Sequence, residues 1–302
     1  MNSKLLTVVL VMIGMIIINW NLFRVACANN IWSHWNETYV PLPEPTCSID
    51  VPCQRGMCRN GICTAYPGYA GNLNHISVQS VYFRHDPYDQ LAVRPLDLQG
   101  WFNTNDEFWK RMVVLSQPRL AIEVGVWKGR STAVIATELK TQMAGGLVLA
   151  VDTFTGAPEF WTNDNDPERG LEIVNGWPTV IWTFMSNMKQ LGLAEYVVPL
   201  PLPSLQAAIW VRKHDLWIDL IHIDGAHEYQ MLLLDIQAWW PMVRVGGVMV
   251  GDDYDLEHWP EVVKVVNEFQ AWTKLELHVD GVKWYFIKPN SRSQFVSTRS
   301  FI

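Results

Sequence analysis

The sequence predicts an α/β protein built on a mostly parallel sheet with helices on both faces, preceded by a small cysteine-stapled segment. Three observations carry this expectation. From Leu120 onward, apolar runs of four to six residues alternate with helical stretches. That is the pattern of β-α units, whose right-handed crossovers lay the strands side by side. The connections between runs are short. The last two runs are separated only by Asp280-Gly281, a tight hairpin signal, so the final pair runs antiparallel.

The elements follow in order. Lys4 precedes an apolar run from Leu5 to Ile18. This suits a secretory core segment of about 7 to 15 residues and falls short of the about 20 that span a bilayer. Asn19, Asn21 and Arg24 dilute the run, and Ala26-Cys27-Ala28 has the small-x-small form of a cleavage site. Residues 1–28 read either as a cleaved signal peptide or as a signal anchor extending to Phe23. Both readings place the protein in the secretory pathway, secreted or lumenal in the ER or Golgi. Cleavage removes Lys4, Arg24 and Cys27, taking the formal charge from −7 to −9 and the cysteines from five to four.

Residues 29–46 contain Pro41, Pro43 and Pro45 and read as an extended linker. Asn36-Glu37-Thr38 within them is an N-glycosylation sequon. Cys47, Cys53, Cys58 and Cys63 are spaced C-x5-C-x4-C-x4-C. In a secreted chain such a cluster implies two disulfides, with three connectivities open. No C-x2-C pair appears, which weakens a zinc reading. With Pro67-Gly68-Tyr69-Ala70-Gly71, the segment 47–71 resembles a shortened EGF-like module that lacks two of the usual six cysteines. Residues 72–103 show no period. Thr104-Asn105-Asp106-Glu107 has capping-box spacing before Phe108, Trp109, Met112 and Val113, and the helix should stop before Pro118. Residues 72–118 are thus a helical lead-in to a domain over 119–290, with a tail to 302.

Within that domain the expected strands are 120–124, 147–151, 196–200, 218–223, 246–250, 275–279 and 283–287. The expected helices are 130–143, 170–191, 204–213, 227–241 and 260–271. Composition agrees with a folded core: 49% of residues are hydrophobic and 18% charged. The net charge of −7 argues against nonspecific nucleic-acid binding, which needs many Lys and Arg. The 16 tryptophans are far above ordinary usage. Trp182, Trp239 and Trp240 fall at helical positions and are expected in the core. Trp161, in an acidic loop, is the better candidate for a substrate lid.

Ligands of such sheets bind beyond the carboxyl ends of the strands. The first end is Glu123-Val-Gly125-Val-Trp127-Lys-Gly129-Arg-Ser131, a strand running through a glycine turn into a helix. Gly125 permits the turn and Gly129 a close approach at the helix start. Trp127 stands where a dinucleotide fingerprint needs its second glycine, so the turn suits a cofactor without a pyrophosphate. The second strand ends on Asp152, an acid that can accept both hydroxyls of a ribose. The fourth ends in Ile223-Asp224-Gly-Ala-His227 and the fifth in Gly251-Asp252-Asp253-Tyr254. Neighbouring strands lie about 4.8 Å apart, so three carboxylates converge. A divalent cation would offset their repulsion, and oxygen ligands suit Mg²⁺, Mn²⁺ or Ca²⁺. His227, at a helix start, can reach the same mouth as a general base. His222, inside an apolar strand, reads as a satisfied core residue.

These four motifs, in this order, resemble class I S-adenosylmethionine-dependent methyltransferases, and within them the group of macrocin-type sugar O-methyltransferases and cephalosporin hydroxylase-like proteins. The resemblance covers about 119–288. It implies a Rossmann-like, seven-stranded, mostly parallel sheet of order 3-2-1-4-5-7-6 with the last strand antiparallel. It implies S-adenosylmethionine as cofactor, with Glu123, Gly125, Gly129 and Ser131 at its methionine end, Asp152 at the ribose and Ser204 near the adenine. Asp224, Asp252 and Asp253 are the implied metal ligands, with Mg²⁺ the expected ion. His227 or Asp224 is the implied base, and a sugar or other small-molecule hydroxyl the implied acceptor. Two features depart from the family: the turn has two glycines where many relatives have three, and the N-terminus carries a secretory address. The rival functions are a noncatalytic binding protein with a degenerate transferase domain and a hydroxylase-like enzyme.

Overall fold

The computed structural model describes residues 86–100, 106–142, 146–157, 159–162 and 170–289, together with four short strands further upstream. All belong to one compact unit, Pro43–Ile302. The expected signal segment, linker, sequon and C-terminal tail lie outside the described residues. The upstream strands form two antiparallel pairs, Gly56–Arg59 with Ile62–Ala65 and Tyr69–Ala70 with Ile76–Ser77. The first pair sets the backbone of Cys58 opposite that of Cys63. The expected disulfides themselves lie outside the description. Among the described residues, no helix is long and apolar enough to cross a membrane.

The central sheet has seven strands: β1 Leu120–Val124, β2 Leu147–Val151, β3 Val197–Leu200, β4 Ile218–Ile223, β5 Val243–Gly251, β6 His278–Asp280 and β7 Lys283–Ile287. Their spatial order is 3-2-1-4-5-7-6, as expected. Strands β1 to β5 are parallel, and β7 pairs antiparallel with both β5 and β6. The helices are α1 Asp106–Ser116, α2 Arg130–Thr141, α3 Val180–Gln190, α4 Ser204–Lys213, α5 Tyr229–Trp239 and α6 Pro260–Thr273.

Every residue of β1, β2, β3 and β4 is buried, as a parallel sheet covered on both faces requires. Ala121, Val148, Ala150, Val197, Leu220, Val248 and Val250 pack against the apolar faces of α1, α2 and α3. Side chains alternate along a strand, so Leu120, Ile122, Leu149, Ile221 and Met249 point to the opposite layer, where α5 lies between α4 and α6. The same alternation sends Glu123, His222, Asp224 and Asp252 to the α1 side. The sheet thus decides which polar residues meet.

Several boundaries differ from expectation, among them β6, which starts at His278 rather than at 275. The helix expected over 170–191 is formed only from Val180. Asn175 and Gly176 both take positive φ, Val174 bridges Trp177, and Pro178 follows, so the chain turns before the helix can start. α5 stops at Trp239 and continues as a short 3-10 turn, because Pro241 has no N–H to donate. β5 is longer than expected, with an irregularity in its register to β4 between Ile218 and Leu220 and a positive φ at Gly246. Trp182 corrects a core assignment: it is 46% exposed, whereas Trp239 and Trp240 are buried.

The aperiodic stretch 86–100 is a strap held by side chains distant in sequence. The Tyr88 hydroxyl donates to Val197 O at 2.9 Å, and the Arg94 amide to Ser186 Oγ at 2.7 Å. Asn187 of α3 accepts from the Asp97 amide and donates to Asp97 O and Lys128 O, at 3.0, 2.6 and 2.8 Å. The strap is thereby tied to α3 and to the turn after β1.

Candidate active site

The turn after β1 is built by glycine where no other residue fits. Gly125 has φ +83°, and an added Cβ would lie 2.0 Å from the carbonyl oxygen of Asp224. The turn therefore touches the end of β4 directly. Gly129 caps α2 at φ 84°, and its close approach is to Phe184 and Met188 of α3, at 2.7 and 2.8 Å from an added Cβ. Trp127 between them is also left-handed, at φ 44°, and its indole N–H donates to Gly170 O at 2.8 Å.

Asp152 closes the turn from β2. Its Oδ2 accepts the Val126 and Trp127 amides at 2.9 Å each, and Oδ1 accepts the Phe154 amide at 2.7 Å. A carboxylate has about four acceptor positions, so these three bonds leave one for a ligand hydroxyl. Glu123 lies below the turn, fully buried. Its Oε2 accepts the Thr132 hydroxyl and its Oε1 faces His222 Nδ1 at 2.9 Å. Both oxygens are thus engaged inside the protein. Ser131 stands half-buried in the first turn of α2, beside amides that have no intrahelical partner.

The acids at the ends of β4 and β5 meet at Asp224 in two groups, one with Asp252 and one with Asp253, rather than as the single expected triad. Ligand atoms of Asp224, His227 and Asp253 lie within 4.8 Å of one another, and so do those of His222, Asp224 and Asp252. Asp224 is common to both groups. Its solvent contact is partial, and desolvation, then the charges of Asp252 and Asp253, hold its carboxyl well above the usual carboxylate range. Asp253 sits in a left-handed turn at φ 63°, and its Oδ2 lies 2.7 Å from His227 Nε2. The His227 ring lies 4.1 Å from that of Trp259, which fixes its plane. Carboxylate and indole together hold the imidazole as a base would be held.

Sequence reading missed Lys283. It reaches across from β7 to form an ion pair with Asp252, and its ammonium lies 5.3 Å from the ring of Trp109. No local signal marks this lysine, because only the β5-β7 pairing brings it to the mouth. His222 was expected to be a satisfied core residue. It is buried, but among the described residues only Nδ1 has a hydrogen-bond partner and Nε2 has none. Trp161, expected as a lid, is half exposed and its indole N–H donates to Thr155 O at 2.8 Å.

Ser204 begins α4. Its Oγ donates to Asp235 Oδ1 at 2.5 Å and accepts the Trp239 indole N–H at 2.8 Å. Burial pushes the Asp235 carboxyl up to about 6, against the lowering effect of the Ser204 hydroxyl. The folded state therefore binds more protons than the unfolded chain between pH 3.8 and about 6. Stability conferred by this group is full below that window and is lost as pH rises through it, on the order of 2 to 3 kcal/mol. Urea denaturation at pH 4 and pH 7 should show the decline, and Asp235→Asn should flatten it. An unchanged slope in the variant would place the effect elsewhere.

The 3-2-1-4-5-7-6 sheet, the glycine turn after β1 and the acid after β2 form the arrangement that a methyltransferase domain requires. Residues 122–254 match the family model described as a methyltransferase domain, and the chain carries that domain. An 85-residue stretch is 40% identical to the uncharacterized protein R132 of Acanthamoeba polyphaga mimivirus, covering 26% of this chain and 37% of that protein. The match thus spans well under half of that relative's length. Among solved structures, the O-methyltransferase NovP is similar at TM-score 0.46 and 22% identity, over 61% of this chain and 79% of that one. An O-methyltransferase from Bacillus cereus in complex with SAH gives 0.45 and 18%, over 64% and 84%. CalS11, a TDP-rhamnose 3'-O-methyltransferase, gives 0.45 and 16%, over 60% and 76%.

Proposed function

We propose that the chain is an S-adenosylmethionine-dependent O-methyltransferase assisted by a divalent cation and acting on a hydroxyl of a small, sugar-like molecule. One observation carries the reading. The glycine turn and the acid cluster share a wall, since the α-carbon of Gly125 abuts the carbonyl of Asp224. A cofactor on the turn and an acceptor at the acids would therefore be neighbours. The cluster suits a cation, because burial and mutual repulsion already penalise the charge on Asp224. Asp224, Asp252 and Asp253 would hold it, and a bound cation supplies Lewis acidity that lowers the pKa of an acceptor hydroxyl.

The chain's own residues supply the rest. Gly125, Gly129, Ser131 and the first amides of α2 form the cradle for the methionine end, and Glu123 braces it from below. Asp152 offers its remaining acceptor position to the ribose, and Ser204 lies at the adenine side. His227, oriented by Asp253 and Trp259, would take the acceptor proton, and the bound cofactor would supply an electrophilic methyl whose bond to sulfur breaks as the bond to the acceptor oxygen forms, with S-adenosylhomocysteine as the leaving group. The sugar-like acceptor rests on the motif resemblance.

The test is methyl transfer from labelled S-adenosylmethionine to a panel of sugar and phenolic hydroxyl compounds, with Mg²⁺ or Mn²⁺ and with chelator. Metal-dependent labelling of at least one acceptor is the expected result. A folded protein that gives no thermal shift with the cofactor and no labelling would overturn the reading and favour a noncatalytic binding protein.

A further inference from the structure

We propose that His222 supplies a nitrogen ligand to the cation centre, with Asp224 and Asp252, and that the centre therefore prefers Mn²⁺ or a similar transition ion to Mg²⁺. The inference rests on the divalent-cation reading of the same mouth and goes beyond the three-aspartate ligand set.

His222 is the next-to-last residue of β4, at the carboxyl end of the strand, and is fully buried. Its Nδ1 is 2.9 Å from Glu123 Oε1, and the other oxygen of Glu123 accepts the Thr132 hydroxyl. A carboxylate that receives Nδ1–H leaves Nε2 as a bare lone pair, the tautomer a metal requires. That Nε2 is buried and has no hydrogen-bond partner among the described residues. A buried polar atom left unpaired costs about 1 to 3 kcal/mol, so its persistence calls for a ligand. A ring nitrogen of His222 and carboxylate oxygens of Asp224 and Asp252 lie within 4.8 Å of one another, and Nε2 is the nitrogen that Glu123 leaves open for a ligand. The ring is held edge-on by Trp109, with centroids 4.6 Å apart.

The assembly is a carboxylate–histidine pair aimed at two further carboxylates, the usual way a metal-bound imidazole is oriented. One imidazole with carboxylates suits Mn²⁺, Fe²⁺ or Co²⁺ better than Mg²⁺, which favours an all-oxygen shell. Lys283 now holds Asp252 and must yield to the ion. The rings of Trp109 and Phe108, 5.3 and 5.9 Å from its ammonium, offer that charge a place to remain.

Mn²⁺ titration of the full chain, followed by isothermal calorimetry and pulsed electron paramagnetic resonance, tests the proposal. The expected result is ¹⁴N coupling to the bound Mn²⁺ that persists in His227→Gln, with Mn²⁺ bound at least about tenfold more tightly than Mg²⁺. Glu123→Gln should weaken Mn²⁺ affinity by about ten- to a hundredfold, as loss of an imidazole's orienting partner does. Mn²⁺ binding without ¹⁴N coupling, or coupling that vanishes in His227→Gln, overturns the role of His222 and leaves the cation reading standing. Failure of the wild-type chain to bind either ion overturns both. Because wild type and His227→Gln suffice, the result does not depend on a variant of the buried His222 folding.

Discussion

Asp252→Ala should reduce metal-dependent methyl transfer by about 10²- to 10³-fold, the usual loss when one preorganised electrostatic contact to a reacting centre is removed. Cofactor affinity should change little, because Asp252 ends β5 and the cradle is made by the turn after β1. The two effects separate the two halves of the site. Asp252 is also a leading source of the charge that raises Asp224, after desolvation. Its removal should therefore ease ionisation of Asp224 and partly restore a ligand, so Asp224→Asn should be at least as damaging. Lys283 loses its partner in Asp252→Ala but keeps its place near the rings of Trp109 and Phe108. Turnover, calorimetry with S-adenosylmethionine and metal titration should be read on one preparation. Metal-dependent turnover at wild-type level would dismiss Asp252 as a ligand.

Gly125→Ala should destabilise the domain by about 3 to 5 kcal/mol, in the range of the more disruptive core substitutions. Two costs add. A non-glycine residue at φ +83° pays about 1 to 2 kcal/mol for the left-handed backbone. The new methyl would also lie 2.0 Å from the carbonyl oxygen of Asp224 and 2.6 Å from its carbon. Those are backbone atoms at the end of a central strand, so the relief available to a flexible side chain is absent. Gly281→Ala is the control. Its φ is +63° and nothing lies within 4 Å of an added Cβ, so it should cost only the backbone share. Chemical denaturation of both variants measures the difference. Equal losses would mean that the turn can move away from β4, and that the contact between cradle and acid cluster is not fixed.

Much of this was legible in the sequence because it rests on local rules. The strands 120–124, 147–151, 218–223 and 283–287 were delimited correctly, since a short apolar run flanked by turn residues has few alternatives. The hairpin at Asp280-Gly281 fixed the direction of β6. The approach of Asp224 to Asp252 and to Asp253 is legible because parallel neighbours end in acids, whereas their division into two groups is not. The helix expected over 170–191 starts only at Val180 because the Asn175-Gly176 turn and Pro178 interrupt the apolar stretch before it. Trp182 is exposed with it, since a residue on the exposed side of a shorter helix has no core to enter.

By itself the sequence determined which strands exist, where their carboxyl ends lie and which acids stand on those ends. These follow from backbone conformational limits and from short continuous apolar runs bounded by turn residues, both local. Tertiary structure alone decided what each polar group does. Asp152 is engaged by the amides of another strand's turn, and Glu123 by His222 and Thr132. Ser204 is held by Asp235, and Asp252 by Lys283. Each partnership joins residues 9 to 31 positions apart, or about a hundred in the case of Glu123 and His222. Hydrogen-bond capacity is a property of the residue, but its use depends on what folding brings within about 3 Å. The sequence shows where a carboxylate stands, and only the packed structure shows which of its lone pairs remain for a ligand.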